Sequence, residues 1–221
     1  MKKANLEIFY NESIINLLLK ELNFKNVMEV PKLQKIVLNM GLGDAKDNKN
    51  TLKQAVEELA TITGQKPVIT KSKKAISNFK IRENDPVGVS VTLRKRNMYE
   101  FLERFIAIVS PRIRDFRGFS PKGFDGRGNY NFGINEQVVF PEINYDKVNG
   151  IRGMNFTLVT SAKEDNSAYK LLKSFGFPFR EPSVEEVTTE ETPVAEATIE
   201  ETPAAEATTE KPSKKIDEEN V

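Results

Sequence analysis

Residues Leu33–Asp44 have the sequence LQKIVLNMGLGD, which predicts a β-strand that runs into a tight glycine turn. Apolar side chains alternate with side chains of the opposite face at the period of two that a strand requires. The first set is Ile36, Leu38 and Met40, and the second is Lys35, Val37 and Asn39. One face can therefore pack on a core while the other offers a lysine and an amide to a partner. Gly41 and Gly43 allow the backbone to turn and to approach that partner closely.

A second stretch, VGVSVTLR at residues 87–94, alternates in the same way. Its inward side chains are apolar, and its outward ones are Gly88, Ser90, Thr92 and Arg94. Hydroxyl and guanidinium groups suit phosphates, riboses and base edges, although an ordinary solvated sheet face has the same composition. Neither polar face carries an aromatic row for stacking single-stranded bases, so we interpret the two together as a surface for folded RNA. Further strands are predicted at 68–70, 137–140 and 154–161.

Four amphipathic helices are predicted from apolar residues spaced three and four apart. They cover residues 5–23, 51–63, 97–109 and 165–175, and their apolar stripes are interpreted as core. Gly64 is expected to end the second helix in the left-handed conformation. Asn97 with Glu100 is expected to cap the third helix, and Asp165 the fourth. The aromatic side chains of residues 177–180, FPFR, are expected to fold back against the body.

The charge of the chain is divided unevenly along its length. Residues 1–180 carry 30 lysines and arginines against 19 aspartates and glutamates, whereas residues 181–221 carry 3 against 13. A body this basic points to a polyanionic partner. Residues 181–221 contain degenerate ten-residue repeats without aromatic residues, which predicts a disordered acidic tail after a single domain at 1–180. We interpret the tail as an extension without an essential role; screening of the body and binding of a partner are the alternatives.

The segment KSKKAISNFKIR, residues 71–82, contains five basic residues and no acidic one. Five like charges without counterions repel one another, and a phosphate backbone relieves that repulsion. Because the segment lies between two predicted strands, we interpret it as a basic hairpin arm that contacts nucleic acid. A solvated loop is the alternative. The basic residues are Lys71, Lys73, Lys74, Lys80 and Arg82.

Residues 112–133, RIRDFRGFSPKGFDGRGNYNFG, form a long segment rich in glycine and arginine. Its arginines are interleaved with phenylalanines, which suits nucleic acid, but the rings could equally fix the loop to the core. Its glycines match neither GxxxxGK[ST] nor GxGxxG in a strand-to-helix setting, so no nucleotide site is predicted.

The composition narrows the possible chemistry. The chain has no Cys and no His, which leaves no disulfide, no thiolate or histidine metal site and no Ser-His-Asp triad. A metal-dependent enzyme acting on nucleic acid through carboxylates remains an alternative. Its candidates, Asp44, Asp115, Asp125 and Asp146, show no metal-site spacing, so neither a metal nor a cofactor is predicted. No apolar run approaches the length needed to cross a membrane, so no membrane partner is predicted either.

Four stretches resemble the bacterial large-subunit ribosomal protein number five, the family that binds 5S rRNA. They are VPKLQKIVLNMGLGDA, LATITGQKPVITKSKKAISNFKIRENDPVG, RIRDFRGFSPKGFDGRGNYNFGINEQVVFPEI and KSFGFPFR. The resemblance covers about residues 3–180, and the acidic tail departs from the family. It implies an α+β fold, with an antiparallel sheet and helices packed on one face, and a structural rather than an enzymatic role.

The resemblance also implies a location and partners. The family attaches 5S rRNA to the central protuberance of the large subunit in cytoplasmic ribosomes, among 23S rRNA and other proteins of that region. Its basic loop contacts P-site tRNA, which implies that role here for Lys71, Ser72, Lys73, Lys74, Lys80 and Arg82. Matched to the family's 5S rRNA contacts, the positions in this chain are Asn39, Gln65, Thr92 and Arg94, with Lys35 beside them.

An intersubunit contact is implied as well. The family touches the small-subunit head protein number thirteen, and we place that bridge at residues 112–150. Its candidates, which are also candidates for an RNA-binding loop, are Arg112, Arg114, Arg117 and Arg127. A separate role for the free protein, such as RNA annealing, stays open at this point.

Overall fold

The computed structural model describes residues 3–43, 48–145, 148 and 150–180. The helices in this part of the chain are α1 Asn5–Phe9, α2 Ile15–Glu21, α3 Lys49–Thr63, α4 Lys95–Arg104 and α5 Asp165–Ser174. The strands are β1 Leu33–Gly41, β2 Val68–Lys71, β3 Pro86–Leu93, β4 Tyr130–Ile134 and β5 Met154–Thr160. Tyr10–Ile14 and Phe105–Val109 form π-helical turns. The predicted tail, residues 181–221, lies outside the described residues, as do Asp44 and Asp146.

The five strands form one antiparallel sheet in the order β2-β3-β1-β5-β4, with β1 at its centre. The opening stretch thus occupies the middle strand, and its alternation is confirmed. Its apolar side chains meet apolar partners on both sides: Leu38 lies opposite Val91 in β3 and Phe156 in β5. All three are buried, because side chains directly opposite in a sheet project from the same face.

The helices cover this apolar face. Helix α3 contacts β3, α4 contacts β1, and α1 contacts α4 in turn. The α+β fold with helices on one face of the sheet is therefore confirmed. Gly64 ends α3 with a φ of 66°, as expected for the left-handed position after a helix. The buried side chains of the helices include Tyr10, Ile14, Leu18, Ala55, Leu59, Phe101, Phe105, Leu171 and Leu172.

Aromatic rings fill the end of the core beside β4. Phe119 lies 4.6 Å from Phe132 and 5.2 Å from Phe177 between ring centroids, and Phe105 stacks on Phe177 at 6.1 Å. The phenylalanines at 119 and 124 are half-buried against the core, so they fix the 112–133 segment to the body. Phe177 is buried, which confirms that the FPFR segment folds back.

Several local predictions were wrong. Helix α4 begins at Lys95 with Arg94 as its N-cap, so Asn97 lies inside the helix. Gln137–Val139 form a turn of 3-10 helix where a strand was predicted at 137–140. The Phe140 N–H closes this turn by donating to the Gln137 carbonyl at 3.2 Å, and the buried Gln137 amide bonds with the backbone of Gly150 and Arg152. The strand at 130–134 was hidden within a segment interpreted as loop.

Two further predictions about the helices differ from the structure, one about a buried stripe and one about an N-cap. The apolar spacing of the helix predicted at 5–23 places Leu17 in its buried stripe with Tyr10, Ile14 and Leu18, but Leu17 is 44% exposed while the other three are buried. Glu164 holds the N-cap position of α5, and the expected cap, Asp165, is the first helical residue. The Asp165 carboxylate is used elsewhere, as described below.

Candidate nucleic-acid interface

The sheet face that points away from the helices, here called the open face, carries two polar rows. The first row, near the C-terminal end of β1, crosses all five strands, and the second row crosses four of them. The first row is Val68, Ser90, Asn39, Asn155 and Gly133, and the second is Thr92, Val37, Thr157 and Asn131. Hydroxyl and amide groups therefore lie side by side on the three central strands in the first row, which the exposed Val68 and Gly133 end, and they flank Val37 in the second row.

Three glycines on the open face leave positions without a protruding side chain. Gly88 and Gly41 lie opposite each other, and Gly133 ends the first row. A β-carbon at Gly88 would lie 2.7 Å from the carbonyl oxygen of Met40, so this position accepts no larger residue without a shift of the backbone. Gly41 belongs to the strand and does not begin the turn predicted from the sequence. Gly43 lies in the turn that follows the strand, so the predicted turn is present but begins after Gly41.

Hydrogen bonds fix some of the polar groups and leave others available. The Ser90 hydroxyl donates to the carbonyl of Leu38 at 3.1 Å, and Thr157 donates to the side-chain oxygen of Asn131 at 2.7 Å. Asn39 is exposed, and among the described residues none forms a hydrogen bond with its side-chain amide. The central amide of the first row is thus free to bind a partner.

The structure brings the five residues predicted for 5S rRNA to one half of the open face and its border. Thr92 lies opposite Val37, between the positions of Lys35 and Asn39 on β1. The Gln65 side chain donates to the Thr92 carbonyl at 3.3 Å, which ties the end of α3 to β3. Arg94 follows β3 directly and is exposed. The other four residues therefore lie around Thr92.

Sequence reasoning missed the polar side chains on the other half of the face. Asn155 and Thr157 lie beside β1 on β5, and Asn131 lies on the edge strand β4. A signal existed, since residues 154–161 were predicted to alternate and their polar positions face away from the core. What the sequence did not reveal was that β5 is the neighbour of β1.

The basic arm, residues 71–82, is a hairpin that is paired at both ends. At its base, the Ser72 N–H donates to the carbonyl of Asp85 at 2.8 Å. Near its tip, Ile76 and Ile81 exchange backbone hydrogen bonds of 3.0 and 3.2 Å. Lys80 closes the tip with a φ of 52°. The predicted hairpin arm is therefore present, with a turn of defined shape.

The arm projects its basic side chains into solvent. Lys71, Lys73, Lys74, Lys80 and Arg82 are all exposed. Ser72 differs from them, because its hydroxyl donates to the carbonyl of Lys74 at 2.7 Å and so shapes the arm. Asp85 follows the arm in the chain. Its carboxylate accepts a hydrogen bond from the backbone N–H of Arg82 at 2.8 Å. The arm therefore presents positive charge on an ordered backbone.

The four arginines of the 112–133 segment are exposed but are held by different parts of the structure. Arg112, Arg114 and Arg117 lie in the segment that follows α4 and the π-helical turn Phe105–Val109. Arg127 lies in a tight turn whose N–H groups at Gly126 and Gly128 donate to the Asp165 carboxylate, at 3.0 and 2.8 Å. Because Asp165 occupies these N–H groups, the glycines of this turn offer no cradle for a phosphate.

Of Asp115 and Asp125, the two carboxylates of the enzyme alternative that the structure describes, Asp125 is held by hydrogen bonds within its own turn. Asp125 accepts hydrogen bonds from the side chain of Asn129 and the backbone of Arg127 and Asn129. These bonds, the Asn129 side chain first, lower the pKa of Asp125 below its ordinary value. Within the described ranges, no group of three metal-ligating side chains comes together.

Comparison with known proteins decides the family. A family profile described as ribosomal protein L5 matches residues 26–82, and a second profile, for the C-terminus of the same ribosomal family, matches residues 86–179. The chain belongs to the ribosomal protein L5 family. Large ribosomal subunit protein uL5 of Geotalea uraniireducens and that of Geobacter sulfurreducens are each 56% identical to it over 177 residues, 80% of this chain and 99% of theirs. The Clostridium botulinum protein of the same name is 56% identical over 170 residues, 77% of this chain and 94% of its own.

Membership of the uL5 family makes the chain a ribosomal protein of the large subunit, not an enzyme. The predicted family is thus confirmed, and the metal-dependent alternative is set aside. The two matches together include every strand of the sheet and the basic arm. They end before the acidic tail, which is a departure of this chain from the matched family regions. In the part of the chain that is described, no helix has the length and apolar character of a membrane span.

Proposed function

We propose that this uL5 family member binds 5S rRNA with the open face of its sheet and attaches that RNA to the central protuberance of the large subunit. The observation that carries the proposal is the position of Asn39. Its unengaged amide lies on the central strand, between Ser90 on one side and Asn155 on the other. An exposed amide in the middle of a polar row is available to a ribose or a base edge.

The dimensions and chemistry of the open face suit folded RNA. Five strands span about 19 Å, taking about 4.8 Å for each of the four spacings. The minor groove of an RNA helix is wide and shallow and displays 2′-hydroxyl groups, which hydroxyl and amide side chains can bind. Lys35, which is half-buried, and Arg94, which is exposed, lie at the border of the face, and their positive charges suit phosphates. This arrangement supports binding by shape and backbone, without bases being extracted.

The basic arm is proposed to contact P-site tRNA. Its support is the set of exposed lysines on a hairpin that is paired at both ends. An ordered backbone reduces the entropy lost on binding, and lysines neutralise phosphates with release of counterions. The arm and the open face are thus proposed to serve two different RNA molecules.

The remaining ribosomal contacts are proposed from exposure and charge. Arg112, Arg114 and Arg117 are exposed next to the α4 region, where they are available to 23S rRNA or to the small-subunit head protein number thirteen. Arg127 belongs to a turn held by α5, so we separate it from that group. Other proteins of the central protuberance complete the proposed surroundings, in cytoplasmic ribosomes.

Crosslinking within intact large subunits tests the central proposal. A photoreactive amino acid replaces Asn39 in one variant and Glu57, which is exposed on the helical side, in the control. After irradiation of purified subunits, position 39 is expected to crosslink to 5S rRNA and position 57 is not. Crosslinks from position 39 to 23S rRNA or protein alone would place 5S rRNA on another surface.

A further inference from the structure

Phe79 stands apart from the other phenylalanines of the described chain. Most of them pack in or against the core, whereas Phe79 is 70% exposed, more than the 47% of the only other exposed one, Phe9. Phe79 lies in the basic arm, next to Lys80. A single exposed apolar side chain is ordinary on a protein surface, so its surroundings must supply the argument.

The structure of the arm keeps the Phe79 ring away from the core. Every residue from 73 to 80 is exposed, so this part of the arm has no apolar surface of the body against which the ring could pack. The backbone pairing of Ile76 with Ile81 and the bond from Lys80 N–H to the Ser77 carbonyl, 2.9 Å, fix the four-residue tip that carries Phe79. The ring is therefore presented by an ordered turn at the end of the hairpin.

The charge around the ring identifies the kind of partner. The arm contains five basic residues and no acidic one, and the acidic residues that follow it, Glu83 and Asp85, lie toward its base beyond the Ile76–Ile81 pair. The surface about Phe79 therefore attracts a polyanion and disfavours a basic or a purely apolar partner. Aromatic rings in positively charged surroundings commonly stack on nucleic-acid bases, and such stacking depends little on the identity of the base. The lysines provide phosphate contacts, and the ring adds a flat apolar one.

We infer that Phe79 stacks on an exposed base of the RNA that the arm reaches, either an unpaired base or the terminal pair of a helix. This inference rests on the proposed contact between the arm and tRNA. It adds a specific base contact to what would otherwise be a purely electrostatic one. It also supplies the aromatic contact that the open face of the sheet lacks.

The test compares side chains of similar size that differ in their ability to stack. Ribosomes are purified with Phe79→Leu, Phe79→Tyr or wild-type protein, and the dissociation rate of deacylated tRNA from the P site is measured. Phe79→Leu is expected to raise that rate by about 5- to 150-fold, the range for loss of one base stack. Phe79→Tyr is expected to stay within about twofold of wild type, because its ring stacks equally well. Quantitation of the protein in each ribosome preparation checks that the variants are incorporated equally.

Other outcomes separate this inference from the proposed arm contact. If replacing Lys71, Lys73 and Lys74 with Ala speeds dissociation but Phe79→Leu does not, the arm binds tRNA and stacking by Phe79 is wrong. If neither changes the rate, the arm contact itself is wrong. If Leu retains wild-type behaviour while Phe79→Ala loses it, the ring occupies an apolar protein groove, which also overturns the inference.

Discussion

Asn39 in β1 lies directly opposite Ser90 in β3, and the two side chains emerge together on the open face of the sheet. The Ser90 hydroxyl is committed to the carbonyl of Leu38, whereas the Asn39 amide is not engaged by any described residue. This difference assigns distinct roles to neighbouring polar groups. Ser90 helps to order the strand pair, and Asn39 is the group available for binding.

Replacing the available groups is expected to weaken RNA binding without unfolding the protein. Asn39→Ala and Thr92→Ala should each reduce affinity for 5S rRNA by about 2- to 10-fold, the range for one lost hydrogen bond. A gel-shift titration measures the change. Asn16→Ala, a matched substitution of an exposed asparagine on α2, should bind like wild type. Unchanged binding of both face variants would mean that the RNA lies on another surface.

The arm and the open face are expected to respond independently to substitution. Changing Lys71, Lys73 and Lys74 to Ala should leave 5S rRNA binding intact but weaken P-site tRNA retention, and should reduce its salt dependence. Filter binding at several salt concentrations measures both effects. The same three positions changed to Arg keep the charge and should retain tRNA. Loss of 5S rRNA binding in the Ala variant would assign the arm to the 5S site.

Gly88 is expected to be sensitive to the smallest enlargement. Gly88→Ala places a β-carbon 2.7 Å from the carbonyl oxygen of Met40 and should reduce the free energy of unfolding by about 1–3 kcal/mol. Gly41→Ala is the matched control, because it lies opposite Gly88 and a β-carbon there meets nothing within 4 Å. Chemical denaturation compares the two. Equal stabilities would show that the β1–β3 pair can shift to make room.

Alkaline pH is expected to destabilise the fold through a buried tyrosine. Burial raises the pKa of Tyr130 to about 12, and its hydroxyl donates to the Ser120 carbonyl at 2.7 Å. Because the unfolded tyrosine ionises near pH 10, its contribution to stability is complete below pH 10 and is lost as the pH rises toward 12. Tyr130→Phe should flatten the fall of the melting temperature over this range. Tyr145→Phe, at an exposed site, should leave the fall unchanged.

The acidic tail is expected to be dispensable for assembly. Deleting residues 181–221 removes a segment beyond the matched family regions, which end at residue 179. Subunits that carry the shortened protein should contain 5S rRNA in the normal proportion, as measured by gel electrophoresis of their RNA. Depletion of 5S rRNA would show that the tail takes part in assembly.

The predictable part of the fold is the part encoded by local periodicity. The alternation of β1, β3 and β5 and the αL glycine after α3 depend on neighbouring residues, so they could be predicted from the sequence. Residues 137–140 looked like a strand because Val138, Val139 and Phe140 are apolar and β-branched or aromatic. Their turn carries the buried Gln137, whose hydrogen bonds reach Gly150 and Arg152. No local pattern contains such long-range bonds.

The site was predictable to a similar extent. The polar faces of β1 and β3 were predicted because each follows from alternation within one strand. The contributions of Asn131, Asn155 and Thr157 depend on the order of strands in the sheet, which alternation does not encode. The role of Asp165 could not be predicted either, because its partners Gly126 and Gly128 come from a turn that is distant in the sequence.

The pairing of the basic arm at both its base and its tip limits how its length can change. Three residues separate Ser72 from Ile76, and three separate Ile81 from Asp85, so the two sides match. A single inserted residue on one side would force a bulge or break one of the two pairings. Matched insertions on both sides would lengthen the arm and keep the tip intact. Related proteins should therefore tolerate paired insertions and deletions in this segment better than single ones.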